Sequence, residues 1–175
     1  VPATDGGPDW EQDSSSALWG NPSPYFTGFS HYSYVESYND ATGNAPPDVF
    51  KWYRETKESE NRFITYEFPV TPGKEYTINL YFTPHHDWSR NFRVQVDGQY
   101  PGDFAGITFP ARAPAQMRTA TVTEDGDGIL SFNWVQNSSY YGGVVSGIEI
   151  IGPPPDSTPP EVEITNPVDE DIVSG

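Results

Sequence analysis

Three consecutive runs between Arg62 and Gly98 alternate apolar and polar residues with a period of two. Ile64, Tyr66, Phe68 and Val70 are separated by Thr65, Glu67 and Pro69. Tyr76, Ile78, Leu80 and Phe82 are separated by Thr77, Asn79 and Tyr81. Phe92, Val94 and Val96 are separated by Arg93, Gln95 and Asp97. A period of two places each apolar set on one face of a pleated strand. Pro72-Gly73 joins the first two runs as a turn, Pro pre-setting φ and Gly tolerating a positive φ.

The pattern returns further on. Gln116–Thr123 reads as a strand, and Ile129–Gln136 as another with Leu130, Phe132 and Trp134 on one face. Val144–Ile151 reads as the last. Ser30–Tyr34 alternates as a short strand would, and Gln99–Ala115, rich in Pro and Gly, is expected to cross between sheets. With 18 Pro and 16 Gly in 175 residues, helices are disfavoured and turn-dense β structure is favoured. The expected fold is all-β: a two-sheet antiparallel β-sandwich of jelly-roll type.

Charge narrows the partners. The net formal charge is −16, from 25 acidic and 9 basic side chains. Such a surface repels nucleic acid phosphates and anionic membranes and suits a neutral ligand. No run approaches the ~18 apolar residues of a membrane helix. There is no cysteine, so no disulfide framework is expected.

Aromatic residues make up 15% of the chain, more than a core of this size needs, so some are expected in a cleft or on the surface. Pro84-His85-His86-Asp87-Trp88-Ser89-Arg90, between the second and third runs, gathers two imidazoles, a carboxylate, an indole and a guanidinium. Loops on a rigid sheet are where binding groups collect. The alternative is a solvated loop with Trp88 folded back on the sandwich edge.

The order of these segments resembles the malectin family of carbohydrate-binding domains. The residues that carry the resemblance are Tyr66-Glu67-Phe68-Pro69-Val70, Gly73-Lys74-Glu75-Tyr76, Leu80-Tyr81-Phe82 and Arg90 to Gly98. Gly6-Gly7 with Trp10 and Asp13, a strand Val49–Arg54 and the closing Ile148-Glu149-Ile150 fit as well. The resemblance spans about residues 5–151. It implies a sugar site at one end of the sandwich, with rings from Tyr32 and Tyr34, Trp52 and Tyr53, Trp88, and Tyr140 and Tyr141. Arg54, His85, His86 and Asp87 would supply hydrogen bonds, with Asn137 beside them. Rings laid on the C–H faces of a sugar, pre-ordered by the scaffold, lose little entropy on binding. The chain departs from the family where Thr83-Pro84 replace an Ala-Glu pair, where Tyr53 replaces a Glu, and where Gly142-Gly143 replace a loop carboxylate.

Two rival readings stay open: a structural or adhesive spacer without a sugar site, and a glycoside hydrolase, which needs two carboxylates facing one bond. Neither Gly-x-Ser-x-Gly nor His-Glu-x-x-His occurs. Adjacent His85 and His86 would have to converge on one ion and find a third ligand. Asp125 and Asp127 suggest calcium or, more simply, Asp-Gly turn chemistry. No metal and no cofactor is expected.

The expected organisation is a sandwich over 1–152, then 153–175 as a Pro-rich linker and the first strand of a following module. Glu161–Pro167 resembles the start of immunoglobulin-like repeats of bacterial surface proteins. The expectation is a binding module for an oligosaccharide or polysaccharide, without nucleic acid or membrane insertion. It would be flanked by further domains of a longer secreted or cell-surface protein.

Overall fold

The computed structural model describes residues 25, 27, 31–34 (backbone only), 42–43, 45–56, 63–84, 87–137 and 142–152. Within them run ten strands: β1 (His31–Tyr34), β2 (Trp52–Glu55), β3 (Thr65–Pro69), β4 (Glu75–Phe82), β5 (Arg90–Val96), β6 (Ile107–Phe109), β7 (Gln116–Thr123), β8 (Ile129–Gln136), β9 (Val144–Val145) and β10 (Gly147–Ile151). All pairings are antiparallel. One sheet runs β3-β8-β5-β6, a second β10-β4-β7, and a third β1-β2-β9. The fold is an all-β sandwich, as the alternation required. Trp10 and the 153–175 linker with its strand lie outside the described residues.

The three founding runs bury the residues their alternation selects. Ile78, Leu80 and Phe82 from β4 and Phe92, Val94 and Val96 from β5 are all 0% exposed. Phe82 meets Phe92 and Phe109 with ring centroids 5.8 and 5.2 Å apart, which ties the second sheet to the first. Such tilted ring pairs stabilise by about 0.5–1.5 kcal/mol beyond the area they bury.

The sheet containing β4 is covered on both faces. Tyr81, in the polar phase of β4, is also 0% exposed and packs with Ala45, Val49 and Phe50 in a second, smaller core. That core reshapes the chain before β2. Val49–Arg54 is not one strand: Pro47–Lys51 forms a 3-10 turn and only Trp52–Glu55 is extended. Pro46-Pro47 explains the start, since proline fits the first helical position, where its missing N–H is not needed.

One further expectation is corrected, and the crossing of 99–115 from the first sheet to the second is met with an addition. Val144–Ile151 is split at Ser146, whose N–H donates to the Tyr81 carbonyl at 2.8 Å. β9 therefore pairs with β2, and β10 pairs with β4. The crossing segment 99–115 carries a strand of its own, β6, which extends the first sheet beside β5. Asp97-Gly98 closes a two-residue hairpin with φ of +48° and +72°, the primed-turn geometry that matches strand twist.

Candidate ligand site

At one end of the sandwich the inward rows of β5 and β8 become polar. Arg90 precedes Phe92 in β5 and is 1% exposed; Gln136 follows Trp134 in β8. Arg90 Nη2 donates to Glu55 Oε2 at 2.8 Å, and Nη1 to the Gly142 carbonyl at 3.2 Å. One guanidinium thus ties β5 to β2 and to the end of the loop after β8. A charge this deep requires such partners.

Three loop stems meet around it. Thr83 Oγ1 donates to the Phe50 carbonyl at 2.7 Å and lies 2.7 Å from Ser146 Oγ. Thr56 and Gly143 exchange bonds: Thr56 N–H donates to the Gly143 carbonyl at 2.8 Å, and Gly143 N–H to Thr56 Oγ1 at 2.6 Å. Asn137 Nδ2 donates to Asn91 Oδ1 at 3.0 Å. The roots of the 83–89 and 137–143 loops and the end of β2 are therefore pinned together.

The expected site residues are distributed as follows. The register of β1 on β2 sets Tyr32 opposite Arg54 and Tyr34 opposite Trp52. Trp52 is half-buried. Tyr53 is 5% exposed and belongs to the main core, while Arg54 is 2% exposed. Both were expected to reach a ligand; the structure instead buries Tyr53 in the main core and leaves Arg54, on the opposite face of β2, almost without exposure. Trp88 is exposed at 37% and is not folded into the core. Asp87 pairs with Arg112 through Oδ1 and Nε at 2.5 Å, both side chains largely in solvent. His85, His86, Tyr140, Tyr141 and the side chains of Tyr32 and Tyr34 lie outside the described residues.

Arg112 carries no local signal, because it lies 25 residues from its partner and outside any motif. Its backbone takes φ of +55°, uncommon for a residue with a side chain. The hydrogen bond and charge of Asp87 hold the Arg112 guanidinium further in its charged form.

The two glycines in place of the family's carboxylate have a physical cause. A Cβ on Gly142 would run into Thr56 Oγ1 and the Gln136 side chain, and one on Gly143 into the Trp134 ring. The chain at this point is pressed onto the sandwich end, so no acidic side chain fits there.

The carboxylates of Glu124, Asp125 and Asp127 come within 4.8 Å of one another. Their oxygens serve the turn itself. Glu124 accepts backbone N–H groups from Gly73, Gly126, Gly128 and Ile129. Asp127 Oδ1 accepts from Ile129 N–H at 2.8 Å, and Asp125 Oδ1 from Asp127 N–H at 3.3 Å. This is turn chemistry of the kind Asp-Gly sequences provide.

No family model matches the chain, and no curated protein matches it. Solved structures do. The plant receptor-like kinase ANX2 aligns with a TM-score of 0.61 at 17% identity, covering 74% of this chain and 40% of that one. The ANXUR2 extracellular domain from Arabidopsis thaliana gives 0.58 at 17%, with 74% and 41% covered. A structure of the plant peptide RALF23 in complex with FER and LLG2 gives 0.59 at 18%, again with 74% and 41%. This chain spans about two fifths of the length of each. These ectodomains are malectin-like, and at such identities the likeness carries the fold. No helix among the described residues is long and apolar enough to cross a membrane.

Proposed function

We propose that the chain is a non-catalytic carbohydrate-binding module. It takes a neutral oligo- or polysaccharide at the end of the sandwich where the 83–89 and 137–143 loops are rooted. One observation carries this reading: Trp88 stands 37% exposed on a loop whose stem is tied to the other stems. A flat indole on a pre-ordered support stacks on sugar C–H faces at low entropic cost. In this reading Trp52, Trp88, Tyr32, Tyr34, Tyr140 and Tyr141 supply rings, and His85, His86 and Asp87 supply hydrogen bonds. Tyr53 and Arg54 support β2 from within. The surplus of acidic side chains suits a ligand without phosphate or sulfate. The module would work outside the cell, beside other domains of a longer chain that begin past the Pro-rich 153–160 segment.

A second reading, a peptide or protein ligand, is favoured by the similarity to FER, which is seen in complex with a peptide. The test is a glycan array and affinity gel electrophoresis on plant, algal and bacterial polysaccharides, with wild type, Trp88→Ala and Tyr141→Ala. Glycan binding that both substitutions abolish, with nearly unchanged melting temperatures, supports the sugar reading. Absence of any glycan signal, or binding indifferent to both changes, overturns it.

A further inference from the structure

A concave groove of about 360 Å³ lies on the outer face of the β3-β8-β5 layer, away from the loop end. It begins at Gln95, four residues along β5 from Asn91, or about 13 Å at the strand rise of ~3.3 Å per residue. Its volume falls at the small end of the ~300–1,000 Å³ found for ligand pockets.

The lining is built in registered rows. Thr65, Asn133 and Gln95 stand abreast on three adjacent strands, and Glu67 stands opposite Ser131 in the next row. One rim is raised by Tyr25 and Thr27 beside the outer edge of β3: Glu67 N–H donates to the Tyr25 carbonyl and Thr27 N–H to the Thr65 carbonyl. The opposite rim passes through Gly98, where a Cβ would meet nothing within 4 Å, so the groove stays open there.

These side chains use little of their hydrogen-bonding capacity on one another. Asn133 Nδ2 reaches Gln95 Oε1 at 3.5 Å, and Thr27 Oγ1 donates to Thr65 Oγ1 at 2.9 Å. The Gln95 amide donors, the Asn133 carbonyl, the Ser131 hydroxyl and the Glu67 carboxylate remain available to a ligand. Nearby, Asp97 Oδ1 accepts the Ser131 N–H at 2.8 Å, while its buried Oδ2 has no partner. Among the described residues, no Lys or Arg lines the groove.

From this geometry we infer a second ligand site, independent of the loop end, on the outer face of the β3-β8-β5 layer. It takes a neutral polyhydroxylated ligand, a sugar ring of a glycan, through Gln95, Asn133, Ser131 and Glu67. Hydroxyl and amide groups alternate donors and acceptors as sugar hydroxyls do. The Glu67 carboxylate in the lining disfavours an anion. This goes beyond the loop-end reading and does not depend on it.

The test is nuclear magnetic resonance of the isotope-labelled 175-residue chain, titrated with maltose, cellobiose and mannobiose at millimolar concentration. The expected result is that at least one disaccharide shifts the side-chain amide signals of Gln95 and Asn133. The double substitution Gln95→Ala with Asn133→Ala weakens that binding about tenfold or more without altering the Trp88 indole signal or the melting temperature. Should the double variant fail to fold, Asn133→Asp, of the same shape, replaces it with the same expected loss. The inference is overturned if none of the three moves the amide signals, or if the shifts survive the substitutions. Binding at the loop end alone moves the Trp88 indole signal and leaves the amides in place, so the two readings fail separately.

Discussion

Arg90 and Glu55 form a 2.8 Å ion pair with side chains 1% and 14% exposed. The pair joins the first residue of β5 to the last of β2, and the same guanidinium holds the Gly142 carbonyl. The end of the molecule that carries the candidate loops is therefore anchored by one buried cation.

Replacing Arg90 by Met is expected to destabilise the protein by about 3–5 kcal/mol, because it removes the buried guanidinium that compensates the Glu55 carboxylate. Adding Glu55→Gln is expected to recover part of that loss. Urea unfolding of the two variants measures both effects. A loss under about 1 kcal/mol for Arg90→Met, the range of an exposed pair, would show that water screens the contact.

Gly142→Ala is expected to destabilise by about 1–3 kcal/mol, as overpacking typically does, since the new methyl meets Thr56 and Gln136. Gly142→Asp, which restores a carboxylate of the family kind, is expected to do at least as much damage and to confer no gain in glycan binding. Thermal unfolding and affinity gels measure the two outcomes.

Glu124 links stability to pH. Its burial pushes the carboxyl up, but the N–H groups of Gly73, Gly128 and Gly126 outweigh this and hold it at about 2, below its ordinary 4.5. The charged form is favoured in the fold, so its contribution is present above pH 4.5 and is lost as pH falls toward 2. Asp97 acts with the opposite sign. Burial raises its carboxyl above the ordinary 3.8, so protonation on acidification relieves a cost. Glu124→Gln is expected to lower the melting temperature by several degrees at neutral pH and to flatten the fall on acidification. Asp97→Asn is expected to be neutral or stabilising at neutral pH, since Asn-Gly suits the primed turn and keeps the acceptor for Ser131 N–H. Melting curves between pH 2 and 7 test both; a Glu124→Gln curve parallel to wild type would refute the linkage.

Tyr81→Phe tests the second core. The Tyr81 hydroxyl donates to Glu149 Oε2 at 2.7 Å, and Asn79 Nδ2 donates to the same oxygen at 2.7 Å. Losing the hydroxyl is expected to cost about 1.5–3 kcal/mol, the range for a hydrogen bond to a charged group. A change within about 0.5 kcal/mol in urea unfolding would place Tyr81 among residues that only fill space.

Most strands, their inward residues and the Pro72-Gly73 turn were legible in the chain, because alternation and turn chemistry act between near neighbours. Leu80, Phe92 and Trp134 point inward as their period requires. Tyr81, in the polar phase of its strand, was not legible as core. Its burial depends on Ala45, Val49 and Phe50 folding over the other side of β4, and the same contact replaces an expected strand by the 3-10 turn Pro47–Lys51. Likewise, the exposure of Trp88 and the burial of Tyr53 and Arg54 were set by what packs over them, which no local pattern shows. The sequence alone determined most of the segments that become strands, through the local steric preferences of the backbone and the alternation of apolar residues. Which sheet is covered on both faces, which arginines are buried and which glycines can bear no side chain were decided by tertiary structure. Those outcomes depend on contacts between residues far apart in sequence, such as Arg90 with Gly142, and no local pattern records that distance.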